Sequence, residues 1–240
     1  MKAFILNSGR GSRMGNIGTC KSLLEIAEGI TIIDEQMRRL IKCGLHDIYI
    51  TTGPYATEFK NYLIKQYPTV KFEFIHNPLY DGSNYIYSIY LARKYIQDDI
   101  LLLHGDLVFD TALLQEAISN PHSCMIIDTT KPLPEKDFKA VLRNGKIKKV
   151  GVNFFESAVY AQPLYKLLWQ DWQVWLDEIC RFCREGNIGV YAENALNIIS
   201  DKMNLFPLDA QGRMCFEIDD ANDLATARDV YKQCNQSYPS

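Results

Sequence analysis

An unbroken apolar strand that empties into glycines constrains this chain more than any other feature. Lys2-Ala3-Phe4-Ile5-Leu6 leads into Asn7-Ser8-Gly9-Arg10-Gly11-Ser12-Arg13-Met14-Gly15, with Lys21 following. A strand without polar alternation has to be covered on both faces, which points to a parallel sheet flanked by helices. Glycine at positions 9 and 11 permits close approaches and backbone angles that a side chain would block. Successive loop N–H groups can then surround an anion, while Arg13 and Lys21 bring formal positive charge. A nucleoside triphosphate site is therefore expected here; the plain alternative is an ordinary strand-to-loop turn. The Walker spacing Gly-x-x-x-x-Gly-Lys-Ser/Thr does not occur. The dinucleotide fingerprint fails because Met14 stands where its third glycine would be.

The first half of the chain alternates strands and helices. Strands are predicted at Ala3–Asn7, Asp47–Thr52, Lys71–His76 and Ile100–Leu103. Helices are predicted at Ile32–Gly44, Tyr55–Tyr67 and Ser83–Tyr95. That order predicts a doubly wound α/β layer whose ligands sit at the carboxyl ends of the strands. The second half predicts a strand at Ser123–Thr129 and a hairpin of Phe138–Arg143 and Lys146–Val150 turning at Asn144-Gly145. A strand at Gly151–Tyr160 and a long helix at Pro163–Glu185 holding Trp169, Trp172 and Trp175 follow. After these come a helix at Tyr191–Ile199, a short strand near Asn204–Pro207 and a last helix from Asp220 to Cys234. With no repeat or linker, the 240 residues read as one domain with an inserted substrate-facing lobe. Its parts are a nucleotide-binding core over about 1–122, an acceptor-binding part over about 123–215, and a metal-ligand strand end with the terminal helix over 216–240.

Net charge of −3 without a basic arm argues against a nucleic-acid partner. No secretory pattern opens the sequence and no apolar run reaches membrane-spanning length, so a cytoplasmic protein without a membrane partner is expected. The seven cysteines lack paired spacing. The lone Cys180-Arg-Phe-Cys183 falls in a helical pattern and reads as half-buried thiols. His46, His76 and His122 make no metal spacing, and His104 reads as a hydrogen-bonded histidine at a strand end.

Two acidic clusters lie far apart: Gly105-Asp106-Leu107-Val108-Phe109-Asp110 at the exit of a buried strand, and Glu217-Ile218-Asp219-Asp220 before the final helix. A triphosphate brings Mg²⁺, which takes one or two carboxylates plus phosphate oxygens and water. Asp106 and Asp219 supply that pair if the fold joins the two segments. Taken singly, Asp106 reads as a turn residue and Asp220 as a helix cap.

These residues carry a resemblance. Leu6-Asn7-Ser8-Gly9-x-Gly11-x-Arg13-Met14, Lys21, Gly105-Asp106-x-x-Phe109-Asp110 and Glu217-Ile218-Asp219 stand in the order found in nucleotidyltransferases that couple a nucleoside triphosphate to a phosphorylated small molecule. Asn77-x-x-Tyr80-x-x-x-Asn84-x-x-Tyr87-Ser88-x-Tyr90-Leu91 resembles the bacterial choline-phosphate cytidylyltransferases. The stretch from Leu101 to Asp110 is similar to the 2-aminoethylphosphonate cytidylyltransferases. The resemblance implies a Rossmann-like three-layer sandwich with a mixed, mainly parallel sheet, and Mg²⁺-dependent transfer of CMP from CTP with release of pyrophosphate. It implies that the backbone of Leu6, Asn7, Ser8, Gly9, Arg10 and Gly11 holds base and phosphates, and that Ser83 and Asn84 lie near base or ribose. Arg13 and Lys21 would bind the triphosphate and the acceptor phosphate as the catalytic cations, and Asp106 and Asp219 the metal, with Asp106 also beside the nucleotide. Three positions depart from the family pattern. Asn7-Ser8 replaces a small apolar pair, Cys20 stands where proline usually precedes the lysine, and the segment from Arg13 to Lys21 is short.

The partners implied are CTP and a small phosphorylated acceptor, phosphocholine or 2-aminoethylphosphonate, with room for a homodimer. A cationic acceptor end suits aromatic faces and carboxylates, for which Tyr191, Glu193, Trp172 and Glu217 are the candidates. The helical spacing of Trp169, Trp172 and Trp175 also fits plain core packing. The rivals are a sugar-1-phosphate nucleotidyltransferase and a non-catalytic nucleotide sensor.

Overall fold

The computed structural model describes residues 1–15 and 17–236, so positions 237–240 of the expected third segment lie outside the described residues. Strand β1 (Lys2–Leu6) is followed by two 3₁₀ turns, Ser12–Met14 and Lys21–Leu23, and a small hairpin of β2 (Glu25–Ala27) and β3 (Ile30–Thr31). Helix α1 (Ile32–Lys42) starts at once. The Thr31 hydroxyl accepts the Asp34 N–H while the Asp34 carboxylate accepts the Thr31 N–H, a reciprocal cap that fixes this first turn. Gly44, at φ +79°, ends the helix as expected. Then come β4 (Asp47–Thr52), α2 (Ala56–Gln66), β5 (Lys71–His76), α3 (Tyr85–Ala92), β6 (Ile100–His104), β7 (Leu107–Phe109), α4 (Thr111–Ser119) and β8 (Ser123–Asp128). The hairpin of β9 (Lys139–Arg143) and β10 (Lys146–Gly151) turns through Asn144 and Gly145, both at positive φ. The chain closes with β11 (Ala158–Leu167), α5 (Trp169–Arg184), α6 (Ala192–Ile199), β12 (Leu205–Asp209), β13 (Cys215–Glu217) and α7 (Ala221–Gln236). Among the described residues, no helix is long and apolar enough to cross a membrane.

Nine strands of the described residues form one mixed sheet along β10-β9-β11-β6-β1-β4-β5, with β8 on β11 and β12 on β8. Strands β6, β1, β4 and β5 are mutually parallel, and β11 enters antiparallel to β6. Alternation inside the apolar strands explains the two covered faces. Phe4 and Leu102 point into a core with α3, α5 and α6, whereas Ala3, Ile5, Leu101 and Leu103 point into a second core with α1, α2 and α4. The fold is thus a helix–sheet–helix sandwich, and the hairpin expected as part of a lobe extends the same sheet through β11.

One expectation of the strand order is corrected. Pro163 lies inside β11, not at a helix start, and the strand expected at Gly151–Tyr160 is displaced to Ala158–Leu167. The ladder explains it: Pro163 falls in the register shift between Ala161 and Tyr165, where its missing N–H removes no pairing bond. Helix α5 therefore begins only at Trp169. A pairing that was not expected matters more for the site. Leu107–Phe109 and Cys215–Glu217 pair as an antiparallel two-stranded ribbon, with Leu107 opposite Glu217, a pairing the sequence pattern did not reveal.

Candidate active site

A cleft of about 550 Å³ opens at the carboxyl ends of β1 and β6, between the glycine loop and the segments from Tyr80 to Tyr85, Lys136 to Phe138 and Glu217 to Asp219. Its floor is built by close backbone contact. A Cβ on Gly53 would lie 2.2 Å from the Ser8 carbonyl oxygen, and one on Gly105 would lie 2.6 Å from Asn7 Oδ1. Gly11 takes φ +67°, while among the described residues nothing lies within 4 Å of a Cβ on Gly9. The two sequence departures at Asn7 and Cys20 are one arrangement. Asn7 Nδ2 donates to Cys20 Sγ at 3.4 Å and Asn7 Oδ1 accepts from Ser22 Oγ, so the amide grips both neighbours of Lys21. Ser8 is anchored likewise: its hydroxyl meets Ser88 Oγ at 2.7 Å, and Asn77 Nδ2 donates to Ser88 Oγ and Ser83 Oγ at 3.0 Å each.

The charged centre forms where the ribbon meets this loop. The Ile218 N–H donates to the Asp106 carbonyl at 2.9 Å, which sets Glu217 and Asp219 beside Asp106. Lys21 Nζ lies between the two aspartates, paired with Asp106 Oδ2 and at 2.9 Å from Asp219 Oδ1, and Arg13 pairs with the other Asp219 oxygen. Burial works against the ammonium of Lys21, but the charges of Asp106 and Asp219 outweigh it and hold its pKa above the ordinary value. Burial likewise opposes ionisation of Asp106, and Lys21, then His104, overcome it and hold the carboxyl below its usual range. Asp106 Oδ1 is buried and has no hydrogen-bond partner among the described residues.

Beside this centre His104 Nδ1 and Glu217 Oε1 stand 2.8 Å apart, the strand-end contact expected for this histidine. Burial pulls His104 down, yet Glu217 more than compensates and lifts its pKa to about 8. Burial pushes the Glu217 carboxyl up against the pull of His104. One ligand atom each from His104, Asp106 and Glu217 falls within 4.8 Å of the others, a grouping that contains Asp106 but not Asp219. The unpartnered Asp106 oxygen, with the Asp219 carboxylate set beside it by the Ile218 bond, offers the oxygen donors that a hard divalent cation takes.

The other end of the cleft is aromatic. Tyr85 stands edge-on to His104 at 4.8 Å and leans on Tyr191 at 5.9 Å, and Phe138 packs edge-on against Tyr191 at 5.4 Å. Asp137 accepts from the Tyr160 hydroxyl at 3.2 Å, and burial pushes its carboxyl up. Arg10 and Asp81 pair at 2.6 Å in the exposed rim.

Most of the residues singled out from sequence line this cleft: Leu6 through Gly11, Arg13, Lys21, Ser83, Asn84, Asp106, Tyr191, Glu217 and Asp219. Two do not. Trp172 is fully buried, donates Nε1–H to the Ile96 carbonyl at 2.9 Å and packs edge-on against Trp175, so it belongs to the core beneath α5. Glu193 is also buried, accepting from the Tyr85 hydroxyl and from Tyr165 at 2.8 Å, and stands one layer behind the wall. Asp137 and Phe138 were missed, since nothing in their neighbourhood marks a site before β9 is placed.

The family model of the MobA-like NTP transferase domain matches residues 3–133. The chain belongs to this family. It therefore carries a nucleotidyltransferase domain, with the glycine loop and Asp106 inside the matched region. A relative, the CMP-5'-(3-aminopropyl)phosphonate synthase of Streptomyces rubellomurinus, is 27% identical over 135 residues, 55% of this chain. The chain spans about a fifth of that protein's length, 21%. Among solved structures, the inositol-1-phosphate CTP transferase from T. maritima superposes with a TM-score of 0.82 at 18% identity, covering 100% of this chain and 98% of that one. The CTP:phosphocholine cytidylyltransferase from Streptococcus pneumoniae gives 0.75 at 20% identity, covering 96% and 98%. These two likenesses establish the fold.

Proposed function

We propose that the protein transfers CMP from CTP to a small amine bearing a phosphate or phosphonate, with pyrophosphate leaving. The observation that carries this reading is Lys21 Nζ set between Asp106 and Asp219 at the mouth of the glycine loop. The acceptor brings its own oxyanion, so the step needs no general base: the acceptor P–O⁻ oxygen bonds to the α-phosphorus as the bond to the bridging oxygen of pyrophosphate breaks. The obstacle is electrostatic. Two unit charges of like sign at ~4 Å repel by roughly 4 kcal/mol at an effective dielectric near 20, and a helix end offers only ~0.3–1 kcal/mol. Lys21 and Arg13, exchanging carboxylate for phosphate oxygens, have to supply the difference. Asp106 and Asp219 would hold a Mg²⁺, which when bound neutralises phosphate charge.

The acceptor preference is supported by the aromatic end of the cleft. Tyr85, Tyr191 and Phe138 with Asp137 and Glu217 suit a cationic amine better than the hydroxyls of a sugar or polyol phosphate. The aminopropylphosphonate relative and the phosphocholine enzyme, by their names, act in this class. Direct contact with the amine falls to Tyr191, Tyr85 and Asp137, with Glu193 acting through Tyr85. The decisive assay offers the purified protein Mg²⁺, each of four triphosphates, and 3-aminopropylphosphonate, 2-aminoethylphosphonate, phosphocholine or a hexose 1-phosphate, scored by pyrophosphate release. CTP with one of the amines is the expected pair. Turnover confined to the hexose phosphate would refute the amine reading, and CTP binding without turnover would make the protein a sensor.

A further inference from the structure

The turn that presents Asp106 is held from outside the cleft by one side chain of α1. Gln36 is 1% exposed, and its Nε2 donates to the carbonyl of His104 at 2.8 Å and to that of Leu107 at 2.7 Å. His104 ends β6 and Leu107 begins β7, so the carboxamide spans Gly105 and Asp106. Both amide hydrogens are used, one on each side of the turn. Two further backbone groups of the turn are held elsewhere. The Gly105 N–H donates to the Leu6 carbonyl and the Asp106 carbonyl accepts from Ile218, both at 2.9 Å. Gln36 Oε1 is buried without a partner among the described residues, which is costly to keep. An apolar side chain would avoid that cost but would strip two carbonyls of their donors at the point where the strand breaks. The same helix is tied to the lysine. The Leu24 N–H donates to the Lys21 carbonyl, and the Ile32 N–H, at the start of α1, to the Leu24 carbonyl, at 3.0 Å each. One rigid element therefore reaches both members of the Lys21–Asp106 pair.

We propose that Gln36 is a positioning residue for nucleotidyl transfer, its carboxamide fixing the turn between β6 and β7 and so the place where Asp106 meets Lys21 and the reacting phosphates. This rests on Asp106 standing in the catalytic centre, as proposed above. It concerns a residue that touches neither substrate. Displacement of a reacting group by about 1 Å costs up to ~100-fold in rate, so loss of the two donors should act on turnover and not on nucleotide capture.

The test compares Gln36→Met, which keeps length and removes the donors, with Asp106→Asn and with the double variant, in steady-state kinetics and thermal melts. Gln36→Met should lower kcat by roughly 10- to 100-fold with the KM for CTP within about threefold of the parent. The double variant should be no slower than Asp106→Asn alone, since both act through one group. A Gln36→Met protein with a lowered melting temperature but parental kcat shows a merely structural residue and overturns the proposal. An active Asp106→Asn enzyme overturns instead the reading of the centre on which it rests. Should Gln36→Met fail to fold, the ¹⁵N-labelled parent decides: both Gln36 side-chain amide hydrogens should exchange slowly with solvent, and rapid exchange of either overturns the clamp.

Discussion

Carboxylates at the glycine loop and behind the aromatic wall are satisfied in opposite ways. At the glycine loop, Asp106 and Asp219 face cations, Lys21 and Arg13. Behind the aromatic wall, Glu193 faces two phenols, Tyr85 and Tyr165. An ion pair can be exchanged like for like: a phosphate takes the ammonium while a divalent ion takes the carboxylate, and no group is left bare. A carboxylate held by phenols has no such exchange, because removing it strands two buried hydroxyls. The first arrangement suits groups that change partners during a reaction; the second suits a wall whose shape must not change.

That contrast breaks most readily at the lysine. Lys21→Met should cost roughly 10²–10³-fold in kcat/KM, the scale seen when one donor to a developing charge is lost, measured by pyrophosphate release. Equal activity would remove Lys21 from the chemistry. A smaller and different effect is expected at the wall. Glu193→Gln should cost about 1–3 kcal/mol of stability, since one phenol loses its acceptor, and should raise the KM for the acceptor with kcat within about twofold. If kcat instead collapses as for Lys21→Met, the wall takes part in the reaction and the distinction fails. The smallest effect lies away from both. Burial disfavours charge on Asp34, but hydrogen bonds from Tyr62, Thr31 and Tyr67 outweigh it and hold the carboxyl below its ordinary value. Its ionised form is thus favoured by folding. The stability it adds is complete above the unfolded value of ~3.9 and is lost as pH falls through the lower folded value. Asp34→Asn should therefore cost on the order of 1 kcal/mol at neutral pH, the gap closing only below about pH 4. Urea melts across pH 2–7 measure it, and a gap that persists at pH 2 would contradict the sign.

The glycine loop with its cations, and Asp106 at the end of an apolar strand, were legible in the sequence because those signals are local; that Asp219 joins them came from the order of the family motifs, not from a local pattern. The doubly covered sheet was likewise legible from local runs such as Ile100–Leu103. What was lost depends on contacts between distant segments. Trp172 and Glu193 have the chemistry of an amine site, and only the arrival of Ile96, Tyr85 and Tyr165 shows both to be enclosed. Pro163 reads as a helix start until the bulge that accommodates it is seen. Gln36 carries no signal at all, one polar residue on a buried helix face.

The ribbon of β7 and β13 has a broader consequence. By clasping Phe109 to Cys215, it returns the chain to the turn where β6 ended, after a detour that itself builds part of the central sheet. Asp106 and Asp219 therefore owe their spacing to a ribbon with three residues on each side, not to the path the chain takes between them.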